Sequence, residues 1–260
     1  MKAAVFREVN QPMEIEEISV SKPGPREVLI RTKAAGICHS DLHFWNGSYP
    51  GQVPMVLGHE SAGVVEQVGS DVHYVKPGDH VITCLSVFCG HCEQCLTGHM
   101  SLCKEPETNR SQDEPPRLSH NDKPLTQFAQ LGSFAEMMLV HEHALVKVRE
   151  DMPMDRAALI GCGVTTGIGA VIHTAKVEPG STVAVIGCGG IGLSAINGAA
   201  LAGAARIIAV DMVPSKLELA RKFGATDVVD ASDGEAVGKV IEMTGGGVHY
   251  SFEAIGLKAT

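Results

Sequence analysis

The chain has 260 residues, 44% of them hydrophobic and 20% charged, with a formal net charge of −9 at pH 7. That length holds one large domain or two ordinary ones, and the composition is that of a globular protein. The negative balance, with no run of lysine or arginine, repels a phosphate backbone and excludes nucleic acid as a partner class.

The first eight residues, from Met1 to Glu8, are charged too early for a signal sequence. A cytoplasmic setting is expected, where thiols stay reduced and available to metals. Residues 2–6, 13–18, 28–33, 63–68 and 80–83 are short apolar runs punctuated by Gly and Pro clusters, which predicts a compact β domain. Residues 105–126 are polar, carry prolines at 106, 115, 116 and 124 and lack periodicity, so an exposed loop is predicted. Strand character returns at 134–140 and 144–148. Residues 156–172 have helix-like spacing. Strands at 181–186, 206–210, 227–229 and 249–254 then alternate with helices at 187–202, 215–223 and 233–243. That alternation predicts a parallel sheet with helices on both faces. The uncharged stretch 182–205 could be scored as a membrane span, but its six glycines, Ser194 and Asn197 fit a buried strand leading into a packed helix. No membrane partner is expected.

Four of the eight cysteines lie within fifteen positions: Cys89, Cys92, Cys95 and Cys103. Such spacing lets one lobe, residues 89–103, fold around a tetrahedral zinc ion held by four thiolates at about 2.3 Å. The alternative of two disulfides suits small secreted domains instead. Four protein ligands leave no open coordination position, so this ion is structural and the chemistry lies elsewhere.

Gly187-Cys188-Gly189-Gly190-Ile191-Gly192 fits the dinucleotide-binding pattern G-x-G-x-x-G. It follows an apolar strand, opens a helix, and Asp211 ends the next strand nineteen residues beyond Gly192. Gly187 permits the tight turn, Gly189 the approach of a pyrophosphate, and Gly192 close helix–strand packing. Asp211 accepts hydrogen bonds from ribose hydroxyls and repels a 2′-phosphate, which favours NAD over NADP. Only four nucleotide-domain strands can be counted before Thr260, against the usual six. The fourth is expected to have a bare edge, so the chain is expected to be a fragment or to have that edge covered by a partner.

Two further cysteines stand near other metal-binding types. Gly36-Ile37-Cys38-His39-Ser40-Asp41-Leu42-His43, Gly58-His59-Glu60 and Gly161-Cys162-Gly163 supply thiols, imidazoles, carboxylates and a hydroxyl. Two Cys and one His make the three-ligand set of a catalytic zinc with its fourth position open. Taken singly, His59 reads more readily as an ordinary turn histidine and Cys38 or Cys162 as a buried thiol, the reading given to Cys84 and Cys188.

In this order, these motifs resemble the zinc-dependent medium-chain alcohol dehydrogenases, over essentially the whole chain. The resemblance implies an N-terminal GroES-like β-barrel catalytic domain (1–160) and a partial Rossmann doubly wound parallel sheet (161–260). It implies Cys38, His59 and Cys162 as catalytic zinc ligands and Glu60 as a carboxylate that approaches the metal transiently. Asp41 would fix the ring of His59, and Ser40 and His43 would form a proton relay running through the nicotinamide ribose. His39 would contact the pyrophosphate, Thr166 the nicotinamide, and Lys216 the adenosine ribose. Trp45, Tyr49 and Leu85 would line the substrate cavity. The implied cofactors are two zinc ions and NAD, and the implied reaction is reversible oxidation of an alcohol to an aldehyde or ketone. Rival readings are a relative oxidising a thiol adduct of formaldehyde, a relative with a tightly held cofactor recycled by an external acceptor, and a non-catalytic zinc- and nucleotide-binding fragment. Tyr49, where the thiol-adduct branch has an acidic residue, counts mildly against the first. The family's chain normally continues for roughly another hundred residues, and its members assemble as homodimers or homotetramers.

Overall fold

The computed structural model describes the chain apart from Glu105, Gln112 and the side chain of Pro106. It divides into two compact units, Met1–Cys162 and Gly163–Thr260, so Gly161 and Cys162 fall with the first unit.

The first unit is built of β-sheets. Its largest sheet has five strands in the order Met137–His141, Glu27–Gly36, Glu60–Val68, His80–Thr83 and Leu145–Lys147, each pair antiparallel. Val28, Ile30, Val65, Val81, Met138 and Val140 point to one face and build a core cluster. The long pair Glu27–Gly36 and Glu60–Val68 shifts register twice. Such irregularities bend a strand and re-aim its ends. This pair runs from Glu27 to Gly36 opposite Glu60, so the bent strands deliver Gly36 and Glu60 side by side. A second sheet pairs Lys2–Phe6 with Glu14–Glu17 and Met55–Val56, and Met55–Val56 with Thr126–Gln127.

Two features depart from the sequence reading. The segment read as an exposed loop contains the strand Leu118–His120 paired with Lys123–Pro124, and Arg117, Leu118 and Leu125 are buried. Its Glu105 and Gln112 lie outside the described residues. The buried Arg117 and its neighbour Arg110 both donate to Glu27. Burial alone pushes the Glu27 carboxyl up, but the two guanidinium groups outweigh it and hold the carboxyl below the usual range. An arginine answered by a carboxylate far away in sequence leaves no local apolar pattern to read. The stretch 156–172 is not one helix: it breaks at Cys162 between a short helix Met154–Ala157 with its 3-10 extension Ala158–Gly161 and the helix Gly163–Gly169.

The second unit is a parallel sheet in the order Asp227–Asp230, Arg206–Asp211, Thr182–Ile186 and Tyr250–Glu253. Val183, Val185, Ile207, Ala209 and Ile196 form its core. The uncharged stretch once open to a membrane reading is the strand Thr182–Ile186 and the helix Gly190–Leu201. No single helix among the described residues is long and apolar enough to cross a membrane. Tyr250–Glu253 pairs with Thr182–Ile186 alone among the described strands, as expected for the fourth strand.

Candidate active site and metal centres

A short helix, His39–Trp45, begins right after Cys38. Its buried Asp41 is what ties the surrounding loops together. Asp41 Oδ2 accepts the Cys38 N–H at 3.0 Å and Oδ1 accepts the Gly58 N–H at 3.0 Å. Oδ1 also lies 3.3 Å from His59 Nδ1, within ion-pair reach but outside hydrogen-bond geometry. One carboxylate thus fixes the backbone at Cys38, the backbone before His59, and the side of the imidazole turned away from the thiols. A ring anchored through Nδ1 offers Nε2 to a metal, the usual arrangement of a metal-binding histidine.

The structure brings Cys38, His59, Glu60 and Cys162 together, with their candidate ligand atoms all within 4.8 Å of one another. Cys38 Sγ and Cys162 Sγ are 3.9 Å apart. Two thiolates on a tetrahedral zinc lie about 3.8 Å apart, from Zn–S bonds of about 2.3 Å. A disulfide needs about 2.05 Å. The donor set therefore fits a zinc ion. Its members also influence one another's protons. The bond from Cys162, then that from His59, draws the Cys38 thiol far down, and the same bond to Cys38, then burial and the Cys38 charge, push Cys162 up. Burial disfavours His59 imidazolium, but Asp41 and Cys38 outweigh that and raise it to about 9. Glu60 is buried, and Gly36 leaves it room: a Cβ on Gly36 would come within 2.4 Å of Glu60 Oε2.

Ser40 Oγ lies 3.7 Å from Cys38 Sγ. The His43 ring is 4.7 Å from that of His39 and 4.8 Å from that of Tyr49, and its buried Nδ1 has no hydrogen-bond partner among the described residues. Phe128 stands edge-on to His59 at 5.0 Å and meets Phe44 at 4.6 Å. Sequence reasoning missed Phe128, since no spacing links residue 128 to residue 59. Trp45 packs against the cluster of Phe6, Met55 and Leu57, and its indole donates to Gln11 O at 2.7 Å. Tyr49 and Leu85 are exposed.

Cys89, Cys92, Cys95 and Cys103 form a second group, with ligand atoms within 4.8 Å. The Cys89–Cys95, Cys92–Cys95 and Cys92–Cys103 sulfurs are 3.8, 3.5 and 3.9 Å apart. All eight cysteines are free thiols, so the two-disulfide alternative fails and the four-thiolate site fits zinc. Backbone N–H groups of His91 and Cys92 donate to Cys89 Sγ. Burial raises the Cys89 thiol, but those bonds outweigh it and bring it down to about 6. His91 and Glu107 also approach Cys89, but both are exposed.

In the second unit, the glycines do distinct jobs. Gly187 has φ +93°, a conformation other residues adopt at a cost. A Cβ on Gly192 would fall 1.8 Å from Gly187 O. A Cβ on Gly189 or Gly190 would meet nothing within 4 Å, so space lies over the turn at the start of helix Gly190–Leu201. Ile191 is in the first turn of that helix. A pyrophosphate fits such a cradle. Asp211 accepts from Cys188 N at 2.8 Å and Val213 N at 2.9 Å, and Lys216 Nζ is 4.0 Å away. Buried Cys188 has its thiol pushed up to about 11, by burial first and the Asp211 charge second. Thr166 is exposed on helix Gly163–Gly169.

Comparison with known proteins follows the same division. Residues 24–150 match the Alcohol dehydrogenase GroES-like domain and residues 190–260 match the Zinc-binding dehydrogenase family. The alcohol dehydrogenase class-3 of Myxine glutinosa is 45% identical over 98% of this chain and 70% of its own length. The S-(hydroxymethyl)glutathione dehydrogenase of Escherichia coli O1:K1 is 44% identical over 98% of this chain and 71% of its own. The crystal structure of benzyl alcohol dehydrogenase from Acinetobacter calcoaceticus superposes with a TM-score of 0.90 at 36% identity, covering 99% of this chain and 71% of that one. Two metal-fitting cysteine groups, a dinucleotide turn and these likenesses have one common explanation: the chain belongs to the zinc-dependent medium-chain alcohol dehydrogenase family.

Proposed function

We propose that the protein oxidises a primary or secondary alcohol to an aldehyde or ketone with NAD, reversibly, at the site of Cys38, His59 and Cys162. The observation that carries this reading is the convergence of those three ligands within 4.8 Å, with Asp41 behind His59. When bound, zinc supplies the Lewis acidity that makes an alcohol hydroxyl acidic near neutral pH, and NAD accepts the hydride. The chain's residues do the rest. Cys38, His59 and Cys162 hold the metal, and Glu60 stands beside them as a carboxylate that can approach it. Ser40 accepts the alcohol's proton and passes it towards His43, whose unpartnered Nδ1 is able to receive one. The turn Gly187–Gly192 binds the pyrophosphate, Thr166 the nicotinamide, and Asp211 with Lys216 the adenosine ribose. The four cysteines of the lobe 89–103 hold a structural zinc. Asp211 favours NAD, because its carboxylate repels a 2′-phosphate.

A second reading is oxidation of S-(hydroxymethyl)glutathione, and the name of the Escherichia coli relative at 44% identity favours it. Against it stand the uncharged aromatic side chains Phe44, Tyr49 and Phe128 beside His43 and His59. Initial rates of NADH formation with ethanol, benzyl alcohol and S-(hydroxymethyl)glutathione separate the two. A higher kcat/KM for benzyl alcohol supports the first; a dominant rate with the thiol adduct transfers the function to the second. In either case Cys38→Ser is expected to abolish turnover while NAD still binds, and unchanged kcat in that variant refutes the site.

A further inference from the structure

Thr83 ends the strand His80–Thr83 and is 1% exposed. It is no candidate ligand, yet it touches two of the segments that carry ligands. Its Oγ1 lies 2.7 Å from Ser61 Oγ, 3.4 Å from Ser61 O and 3.5 Å from His59 O. Its carbonyl faces Gly161 so closely that a Cβ there would fall 2.2 Å from Thr83 O and 4.0 Å from His59 O. Thr83 therefore spans His59 on one side and the residue before Cys162 on the other.

Either hydroxyl is able to donate across the 2.7 Å contact, and Ser61 Oγ also reaches Met138 Sδ at 3.3 Å. Ser61 and Thr83 have one hydroxyl hydrogen each. If Ser61 donates to Thr83 Oγ1, Thr83 donates to the carbonyls of His59 and Ser61, and both hydroxyls are satisfied in a site without water access. Valine would fill the same volume at position 83 but would leave those carbonyls and Ser61 without that partner. Packing alone does not account for a hydroxyl here; a role in fixing the His59 backbone does.

We propose that Thr83, supported by Ser61, is a positioning residue for the three-ligand metal site: its hydroxyl fixes the His59 main chain and its carbonyl seats Gly161, which together set the spacing of His59 and Cys162. This rests on the metal-site reading above, and the experiment separates the two. The protein is loaded with cobalt, and metal release to a coloured chelator is followed together with the visible d–d absorption. Cys38→Ser identifies the release phase that belongs to the three-ligand site. Thr83→Val is expected to speed that phase about tenfold and to alter its d–d bands, with the four-cysteine phase unchanged. Thr83→Ser, which keeps the hydroxyl, is expected to restore both. Ile82→Val, a buried change in the same strand, is expected to lower Tm without moving either readout. Ser61→Ala decides independently should Thr83→Val fail to fold, with release about threefold faster. Release from Thr83→Val or Ser61→Ala at the rate of Ile82→Val overturns the proposal. A wild-type protein that holds only one ion overturns the metal-site reading itself, and this inference with it.

Discussion

Asp41 is the clearest case of one side chain supporting several functional groups. It accepts two backbone N–H bonds and backs the ring of His59 while almost wholly buried. Groups behind a metal ligand typically govern affinity by 10–100-fold, so Asp41→Ala is expected to weaken zinc at the three-ligand site by about that factor. Competition with a chelator of known affinity checks this; an unaltered constant would remove Asp41 from the site. A second residue makes a prediction about acid. His141 is buried, and its pKa is pushed down to about 4, by burial first and then by the charges of His143, Arg26 and Arg117, with Glu27 acting the other way. Its Nδ1 also accepts the His143 N–H, a bond the neutral ring makes. The unfolded chain takes up this proton near the ordinary value of about 6.5, whereas the folded chain resists it down to about 4. Stability is therefore fully present above pH 6.5 and falls as pH drops towards 4, by on the order of 2–3 kcal/mol. Urea denaturation across that range is expected to show the slope, and His141→Gln to flatten it. Legibility at this scale was uneven. The four-cysteine lobe could be read because its ligands are sequence neighbours. Asp41 and His59 became partners only by resemblance, and Thr83 and Phe128 by neither route, because their contacts join segments far apart in sequence with no fixed spacing.

Among the elements, the turn into helix Gly190–Leu201 has the least tolerance. A methyl on Gly192 would collide with the Gly187 carbonyl at 1.8 Å, an atom of the backbone that cannot step aside. Gly192→Ala is expected to destabilise the second unit by ~1–3 kcal/mol and to abolish NAD binding. Gly190→Ala, where a Cβ would meet nothing within 4 Å, is expected to leave folding intact. Thermal denaturation and NAD titration of the two variants test the contrast, and equal behaviour would disprove it. The alternation of strands and helices after residue 180 was readable because the two central strands, Thr182–Ile186 and Arg206–Asp211, are nearly continuous apolar runs and every helix there is at least two turns long. The helix His39–Trp45 was not, since seven residues give too little periodicity to detect. The strand Leu118–His120 was hidden by prolines on both sides and by a buried arginine whose partner, Glu27, lies ninety residues away.

For the molecule as a whole, both cysteine-based metal sites lie inside Met1–Cys162 and the glycine turn with Asp211 lies inside Gly163–Thr260. Among the described residues, the clustered sulfur ligands all come from the first unit, and the glycine turn with Asp211 comes from the second. Damage can thus be sorted by where it falls: a lesion among the sulfurs silences one capacity and leaves the other measurable. In engineering terms each capacity has its own titration, metal release for one and NAD binding for the other.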